Sequence, residues 1–442
     1  MSSGKLTAKE IFLIGLMLFA LFLGAGNLIF PPALGQAAGE HLLPAIIGFL
    51  ITGVGLPLLG VVAIGLSGSD LQGLANRVHP NFSIIFTFVM YLTLGPLFGI
   101  PRTGTVAYEI GVLPFMPETS EKYGIALFIY TIVFFGITYF LSLNPSKLVD
   151  RIGKWLTPML ISVLALLFIK AIIDPLGSLQ SAQGDYINIP FFKGFLEGYL
   201  TMDTIAALVF GIVVMNAIKE KGVTSHKEIA KVSIQAGMIA AIGLALVYLS
   251  LGYLGSTSIE AIGPKENGGA ILSASAHYLF GNFGKFILGL AITFACLTTS
   301  IGLVSSCAAF FKKVLPITYK NAVFILSIFS GIIANVGLTQ LIKFSIPILV
   351  AIYPLAIVLI GLSFLHNAFK GNRQVYGYSL FFTGIVSIVD GLKAANIQIS
   401  VINEIFGFLP LFDLGVGWLL PAIVGAIIGY IRSLIRTIPS QL

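Results

Sequence analysis

Charge is scarce in this sequence. Only 10% of its 442 residues are Asp, Glu, Lys or Arg, against 57% hydrophobic. Soluble domains carry about 25% charged residues, so a water-soluble globular fold is excluded. No polar tract, low-complexity segment or long charged linker divides the chain, which reads as one transmembrane domain over residues 1–442. Cysteine is scarcer still. Cys296 and Cys307 stand eleven residues apart on one expected helix, about 16 Å at the helical rise, which excludes a disulfide between them; with no CxxC pair they read as packing residues. The five histidines, His41, His79, His226, His277 and His366, fall at span ends or in loops, which excludes a buried haem or catalytic zinc cluster. Lacking a buried nucleophile with its base or a metal-ligand set, the chain is read as no enzyme and as needing no cofactor.

What the sequence has in abundance is long apolar runs. Runs of about 18 residues or more suffice to cross a bilayer, and twelve are present, over about 9–32, 42–66, 82–113, 122–143, 152–173, 191–218, 228–254, 283–313, 319–338, 340–365, 374–392 and 414–436. The expected fold class is therefore an all-α polytopic membrane protein. The first run is too long for a signal peptide and lacks a small-residue cleavage site, so it is expected to be retained. With both termini placed in the cytoplasm, seventeen of the 25 Lys and Arg fall inside, seven fall outside, and Arg102 lies within a span. That bias satisfies the positive-inside rule. The net charge of +7 thus reports orientation in the lipid bilayer and calls for no nucleic acid partner.

Four stretches break the apolar pattern. The first, "GAGNLIFPP" at 24–32, puts two glycines, Asn27 and a proline pair inside the first run. In hydrocarbon, non-helical backbone survives only where it is buried in protein or lines an aqueous cavity. A proline kink with glycines for close packing is one reading. A helix opened there, with the prolines closing its outer turn, is the other. An opened helix offers freed carbonyls for a cation and N–H groups at a half-helix N-terminus for a carboxylate.

The second stretch, "GYLTMDTIAALVFG" at 198–211, carries Thr201, Asp203 and Thr204 at bilayer depth; Asp203 could cap a half-helix, ligate a cation or carry a proton. The third, "FACLTTSIGLVSSC" at 294–307, sets Ala295, Thr298 and Thr299 at i, i+3 and i+4 on one helical face. Such hard oxygen ligands suit a small alkali or alkaline-earth cation, while for this stretch taken alone hydroxyls bonding back to the carbonyl a turn earlier are the better explanation. The fourth, "GPLFGIPRTGTVAYEIG" at 95–111, holds Arg102 and, seven residues on, Glu109. Arg102 either ties down carbonyls freed by Pro96 and Pro101 or acts on substrate or gate. Two further segments are polar or short. "GGAILSASAHYLFG" at 268–281 is apolar at helical spacing but too short to span, and fits a lid against the outer face or a plain surface loop. "NPSKLVDRIGKW" at 144–155 reads as a solvated cytoplasmic loop.

The hydropathy order suggests an inverted repeat, with repeat one over about 9–173, repeat two over about 191–365 and two additional helices over about 374–436. In that arrangement the first span of each repeat is the interrupted one.

Taken together, "LGAGNLIFPP", "LFGIPRTGTVAYE", "LNPSKLVDRIGK", "GYLTMDT" and the twelve-span length resemble the bacterial branched-chain amino acid carriers of the BrnQ type, which are leucine, isoleucine and valine cation symporters. The resemblance covers essentially the whole chain. It implies a LeuT-like architecture of 5+5 inverted repeats with discontinuous helices 1 and 6. It also implies a sodium site from the carbonyls of Ala20, Leu23 and Ala295 with the hydroxyls of Thr298 and Thr299, and a second cation site at Asn27, Thr201 and Asp203. Substrate would be bound by Ala25, Gly26, Asn27, Thr201, Asp203 and Arg102, its carboxylate meeting the N–H groups of Ala25 and Gly26. Two departures stand out: the sixth span has no glycine at its expected break, and Asp203 stands where sodium-coupled members tend to have a small hydroxyl residue. Some proton-coupled relatives place a buried lysine in the fifth span, whereas here Lys154 and Lys170 lie at that span's ends. The resemblance therefore implies sodium as coupling ion and leucine, isoleucine and valine as substrates in a bacterial plasma membrane, with a proton on Asp203 as the alternative and an ion channel as a more distant one.

Overall fold

The computed structural model describes residues 6–116, 123–144, 148–397 and 405–437. In chain order its α-helices are α1 (Ala8–Phe22), α2 (Ala25–Ala38), α3 (Leu42–Leu50), α4 (Leu56–Ser67), α5 (Leu71–Ala75), α6 (Pro80–Leu92), α7 (Gly99–Gly111), α8 (Tyr123–Ser142), α9 (Leu148–Ile173), α10 (Pro190–Glu197), α11 (Asp203–Glu220), α12 (His226–Ser256), α13 (Ile259–Ile262), α14 (Gly268–Val314), α15 (Tyr319–Ala334), α16 (Leu338–Phe364), α17 (Arg373–Ala394) and α18 (Leu419–Thr437). Helix is what hydrocarbon demands of a chain that must pair its own backbone, and no strand occurs among the described residues.

Helix occupies each of the twelve apolar runs. Among the described residues, seven helices are long and apolar enough to cross a membrane, or eight when the bent pair Pro190–Thr201 and Asp203–Glu220 counts as one. Pro158–Ile173, Tyr319–Ala334 and Leu419–Ile435 are shorter apolar helices. Large apolar side chains such as Ile85, Phe140 and Phe283 point outward, as a lipid-facing perimeter requires.

The sequence controls where helices start and where they break. Thr7 and Glu10 form a reciprocal capping box at the head of α1, with Thr7 N–H donating to Glu10 Oε2 at 2.9 Å and Glu10 N–H to Thr7 Oγ1 at 3.3 Å. The first apolar run is interrupted at Leu23 and Gly24, and the sixth at Met202. Two further irregularities lie beyond the expected ones. The third run opens into a π-turn over Thr93–Leu97, with Gly95 at φ −84°, ψ −118°. The second carries a π-segment over Ile51–Gly55, whose Thr52 carbonyl accepts from Thr204 Oγ1 at 3.2 Å. A π-bulge frees such a carbonyl and often marks a functional region.

Two expectations need amending. Pro31 and Pro32 do not close the outer turn: α2 runs through both to Ala38. Each proline removes one i→i−4 donor, which leaves the carbonyls of Asn27 and Leu28 without their helical partners, yet packing on α12 keeps the helix going. That packing is close, since a Cβ on Gly35 or on Gly255 would strike the backbone of Gly252 or Pro32. Residues 268–280 are not a surface loop. They form the first arm of α14, hinged at Gly281 (φ 64°), and they bury Ile271, Leu272, Ser273, Ser275 and Ala276. Of the 144–155 stretch, residues 145–147 lie outside the described residues and helix begins at Leu148. Cys296 and Cys307 are free and buried, as packing residues are.

Candidate functional site

At the first break, Leu23 turns out of the helix (φ −67°, ψ 73°) and Gly24 is extended (φ −108°, ψ −166°). Gly24 N–H donates to Phe22 O at 2.6 Å and to Asn27 Oδ1 at 3.1 Å, instead of reaching back to Ala20. Among the described residues, no backbone N–H from the break satisfies Ala20 O or Leu23 O, and none of the backbone bonds outside the helices uses the N–H of Ala25 or Gly26. These two begin α2, where N–H groups have no partner within the helix and the helix dipole favours an anion.

The second break forms without glycine. A 3-10 turn over Gly198–Thr201 leads into Met202, which adopts a left-handed conformation (φ 64°, ψ 11°), and the two halves diverge by 43°. A side chain in that region costs about 1–3 kcal/mol and persists only where the surroundings impose it. Here Asp203 begins α11, its N–H donating to Thr201 Oγ1 at 3.2 Å.

Asp203 is the centre of the site. It is 2% exposed, and its Oδ2 accepts from Asn27 Nδ2 at 2.6 Å and from Tyr248 Oη–H at 2.6 Å. Asn27 Nδ2 also approaches the Tyr248 hydroxyl. Both donors use one carboxylate oxygen.

Arg102, 1% exposed, braces the second break: Nη1 donates to Leu200 O at 2.5 Å and Nη2 to Ser345 Oγ at 3.2 Å. Its guanidinium lies over Phe30, 5.1 Å from the ring centroid, and its Nε has no partner. Glu109 does not join it, but accepts from Asn267 Nδ2 at 3.0 Å, while Asn267 Oδ1 caps the first arm of α14 through Ala270 N–H at 3.0 Å. On α14, Thr298 Oγ1 and Thr299 Oγ1 both donate to Ala295 O, at 2.7 Å and 3.1 Å. The back-bonding reading of these hydroxyls therefore holds in this conformation. It also gathers three oxygens in one place. Thr299 faces the first break, for a Cβ on Gly24 would lie 3.0 Å from its Cγ2 and 3.3 Å from its Oγ1.

One cavity joins these pieces. Ala25, Gly26, Asn27, Arg102, Thr201, Asp203 and Thr299 line it, together with apolar Phe22, Leu94, Ala206, Phe210 and Leu303, whereas Ala20, Leu23, Ala295 and Thr298 are not on its wall. Its volume of about 40 Å³ suits a few water-sized groups and is too small for an amino acid, so any such ligand must enter by moving the halves apart. Sequence reasoning did not pick out Tyr248, Ser345, Leu200 or Phe30. Tyr248 is one of two tyrosines in the apolar "LALVYLSLGYLG", and the general tendency of a buried phenol to serve a partner does not tell it from Tyr253.

A family model described as "Branched-chain amino acid transport protein" matches residues 7–436. The chain is 56% identical to "Branched-chain amino acid permease BraB" of Bacillus subtilis over 97% of each chain. To the B. subtilis permease BrnQ it is 52% identical, over 98% of this chain and 99% of the relative, and to the Escherichia coli BrnQ 42% identical, over 97% and 96%. Among solved structures it resembles Mhp1, a nucleobase-cation-symport-1 family transporter, in a closed conformation with bromovinylhydantoin bound (TM-score 0.61, 14% identity, 98% of this chain and 94% of that one). It also resembles MhsT in complex with L-phenylalanine (TM-score 0.58, 15% identity, 96% and 98%). Both are carriers of the LeuT-like fold, with which the two interrupted helices agree. With the family matched along nearly its whole length and at these identities, the chain belongs to the branched-chain amino acid transport protein family and is a transporter rather than an enzyme.

Proposed function

We propose that this protein is a secondary symporter that imports leucine, isoleucine and valine across a bacterial plasma membrane, coupled to sodium by alternating access. The substrates follow from relatives named as branched-chain amino acid permeases that match this chain end to end. The observation that carries the mechanism is the meeting of two helix breaks around Asp203, Asn27 and Thr201.

In this reading the N–H groups of Ala25 and Gly26 take the substrate carboxylate, aided by the positive charge of Arg102. Asn27, Thr201 and Asp203 hold its ammonium or a second cation. The sodium site uses the carbonyls of Ala20, Leu23 and Ala295 with the hydroxyls of Thr298 and Thr299, which would turn from Ala295 O toward the ion. The apolar wall of Phe22, Leu94, Ala206, Phe210 and Leu303 receives the aliphatic side chain. Such a wall separates side chains differing by one methylene by about 1–3 kcal/mol, so overlapping use of the three substrates is expected. The repeats at about 9–173 and 191–365 rock against each other, helices 374–436 lie outside them, and both termini face the cytoplasm. Ion binding orders the opened backbone, so sodium raises leucine affinity and leucine raises sodium affinity by the same factor.

Proton coupling through Asp203 is the second reading, favoured by a carboxylate buried where the two helix breaks meet. Proteoliposomes with sodium and pH gradients imposed separately decide between them. Leucine uptake that follows the pH gradient and ignores sodium defeats the sodium site, as does an intact sodium dependence in Thr298→Ala. Failure to accumulate leucine against its gradient would instead indicate a channel.

A further inference from the structure

The π-segment Ile51–Gly55 of the second apolar run frees one particular carbonyl. Leu56 N–H donates to Ile51 O, where a regular α-helix would have it serve Thr52 O. The next residue, Pro57, has no N–H to offer. Thr52 is 0% exposed, and a buried carbonyl left without its helical donor needs one from elsewhere. Thr204 supplies it: its Oγ1 donates to Thr52 O at 3.2 Å. Thr204 is the second residue of α11, next to Asp203.

The side chain of Thr52 reaches the opposite half of the same broken span. Its Oγ1 donates to Phe195 O at 2.7 Å, in the last turn of α10, where carbonyls have no donor within their own helix. The bond back to Phe49 O, at 3.4 Å, is much longer. Gly198 makes the approach possible, since a Cβ there would strike Thr52 Oγ1. The neighbours of Thr52 seat a further part of the site. The Phe49 ring meets the Tyr248 ring edge-on with centroids 5.2 Å apart, and a Cβ on Gly53 would lie 3.4 Å from Tyr248 Cε2. Tyr248 is the residue whose hydroxyl donates to Asp203.

One residue thus holds α10 with its hydroxyl and α11 with its carbonyl, on either side of the turn that carries Thr201, Met202 and Asp203. A left-handed Met202 persists only where its surroundings impose it, and a clasp on both flanks does so. We propose that Thr52 is a positioning residue for the central site, fixing the 43° bend between α10 and α11 and with it the place of Asp203. The positioning half rests on the transport reading above; the clasp itself does not.

Amide hydrogen exchange of the full-length carrier in nanodiscs tests the clasp, because exchange of buried amides reports local opening. Thr52→Val keeps the shape and deletes the donor, whereas Thr52→Ser keeps the donor. Peptides covering residues 198–204 should exchange faster in Thr52→Val than in the wild type or Thr52→Ser, with residues 375–389 of α17 unchanged. Equal exchange in Thr52→Val and the wild type overturns the clasp. Leucine uptake by the same preparations tests the positioning. Thr52→Val should raise KM about threefold to tenfold, as loss of one neutral hydrogen bond does, with maximal rate little changed and Thr52→Ser close to the wild type. Thr204→Val removes the donor on the other flank and serves as the second variant should Thr52→Val not fold; its KM should rise in the same direction. Because one residue holds both halves, the double variant should raise KM by clearly less than the product of the two single effects. An unchanged KM in both single variants overturns the positioning role, and a rise equal to the product overturns a clasp that acts on both halves together. Should wild-type protein fail to accumulate leucine, the transport reading fails while the exchange comparison still decides the clasp.

Discussion

Asn27 and Asp203 are 176 positions apart in the chain and 2.6 Å apart in the protein. One amide joins both helix breaks: its Oδ1 holds Gly24 N–H in the first, and its Nδ2 holds the carboxylate that opens the second. Any motion that separates the halves must break or stretch this contact, which makes it a natural coordinate for opening.

Replacing Asn27 by Ala should therefore weaken leucine binding during transport while sparing the fold. A hydrogen bond to a charged group contributes about 1.5–3 kcal/mol, so leucine KM should rise about tenfold to a hundredfold. Initial uptake rates in proteoliposomes give the answer, and a change below about twofold would remove Asn27 from the site.

Tyr248→Phe keeps the ring and deletes the second donor to Asp203. Because Asn27 and Tyr248 share one carboxylate oxygen, their effects should not add. A double-mutant cycle on leucine KM should return a coupling of about 0.5–3 kcal/mol; additive losses would mean that the two donors act separately.

How much of this was legible in the sequence depends on the kind of residue. Apolar runs set the helices, because hydrocarbon leaves the backbone no alternative to self-pairing. Gly24, Asn27, Thr201 and Asp203 could be singled out because glycine and polar side chains are costly at that depth. Tyr248, Ser345 and the Leu200 carbonyl could not. A tyrosine, a serine or a main-chain oxygen is ordinary in a membrane helix and gains its role only from a partner distant in sequence. The break in the sixth span was expected around Thr201 and Asp203, but its pivot at Met202 was not legible, since methionine carries no signal for a left-handed backbone and the bend is imposed by its neighbours. The prolines misled for a related reason: local chemistry ends a helix at Pro31–Pro32, and the close packing of α2 on α12 overrides it.

Gly24 offers a test with a built-in rescue. A Cβ there would sit 3.0 Å from Thr299 Cγ2, tighter than ordinary van der Waals contact. Gly24→Ala should therefore reduce leucine uptake and raise the sodium concentration needed for half-maximal rate. Thr299→Ser removes that methyl and keeps the hydroxyl, so the double variant should recover part of both. No recovery would place the defect in the backbone conformation of Gly24 instead.

Gly255 tests packing without touching the site. Its missing side chain lets α12 lie against the Pro32 backbone, and overpacking a tight contact costs about 1–3 kcal/mol or more. Gly255→Val should lower the thermal melting point of the purified carrier in detergent by several degrees. An unchanged melting point would show that α2 and α12 separate without penalty.

Arg102 distinguishes charge from shape. Its fork reaches Leu200 O and Ser345 Oγ at once, bridging the second break to α16, and its plane lies over Phe30 on α2. Lysine keeps the charge but is a single compact head that cannot hold two acceptors in that geometry or stack on a ring. If positive charge near the substrate carboxylate is all that matters, Arg102→Lys should transport leucine almost normally. The bridging geometry predicts otherwise: Arg102→Lys should lose most of its maximal rate, Arg102→Leu should lose that and leucine affinity too, and Ser345→Ala should be mild because Leu200 O still holds Nη1. Comparing KM and maximal rate across the three variants separates the two roles, and near-normal transport by Arg102→Lys would leave charge as the sole contribution of Arg102.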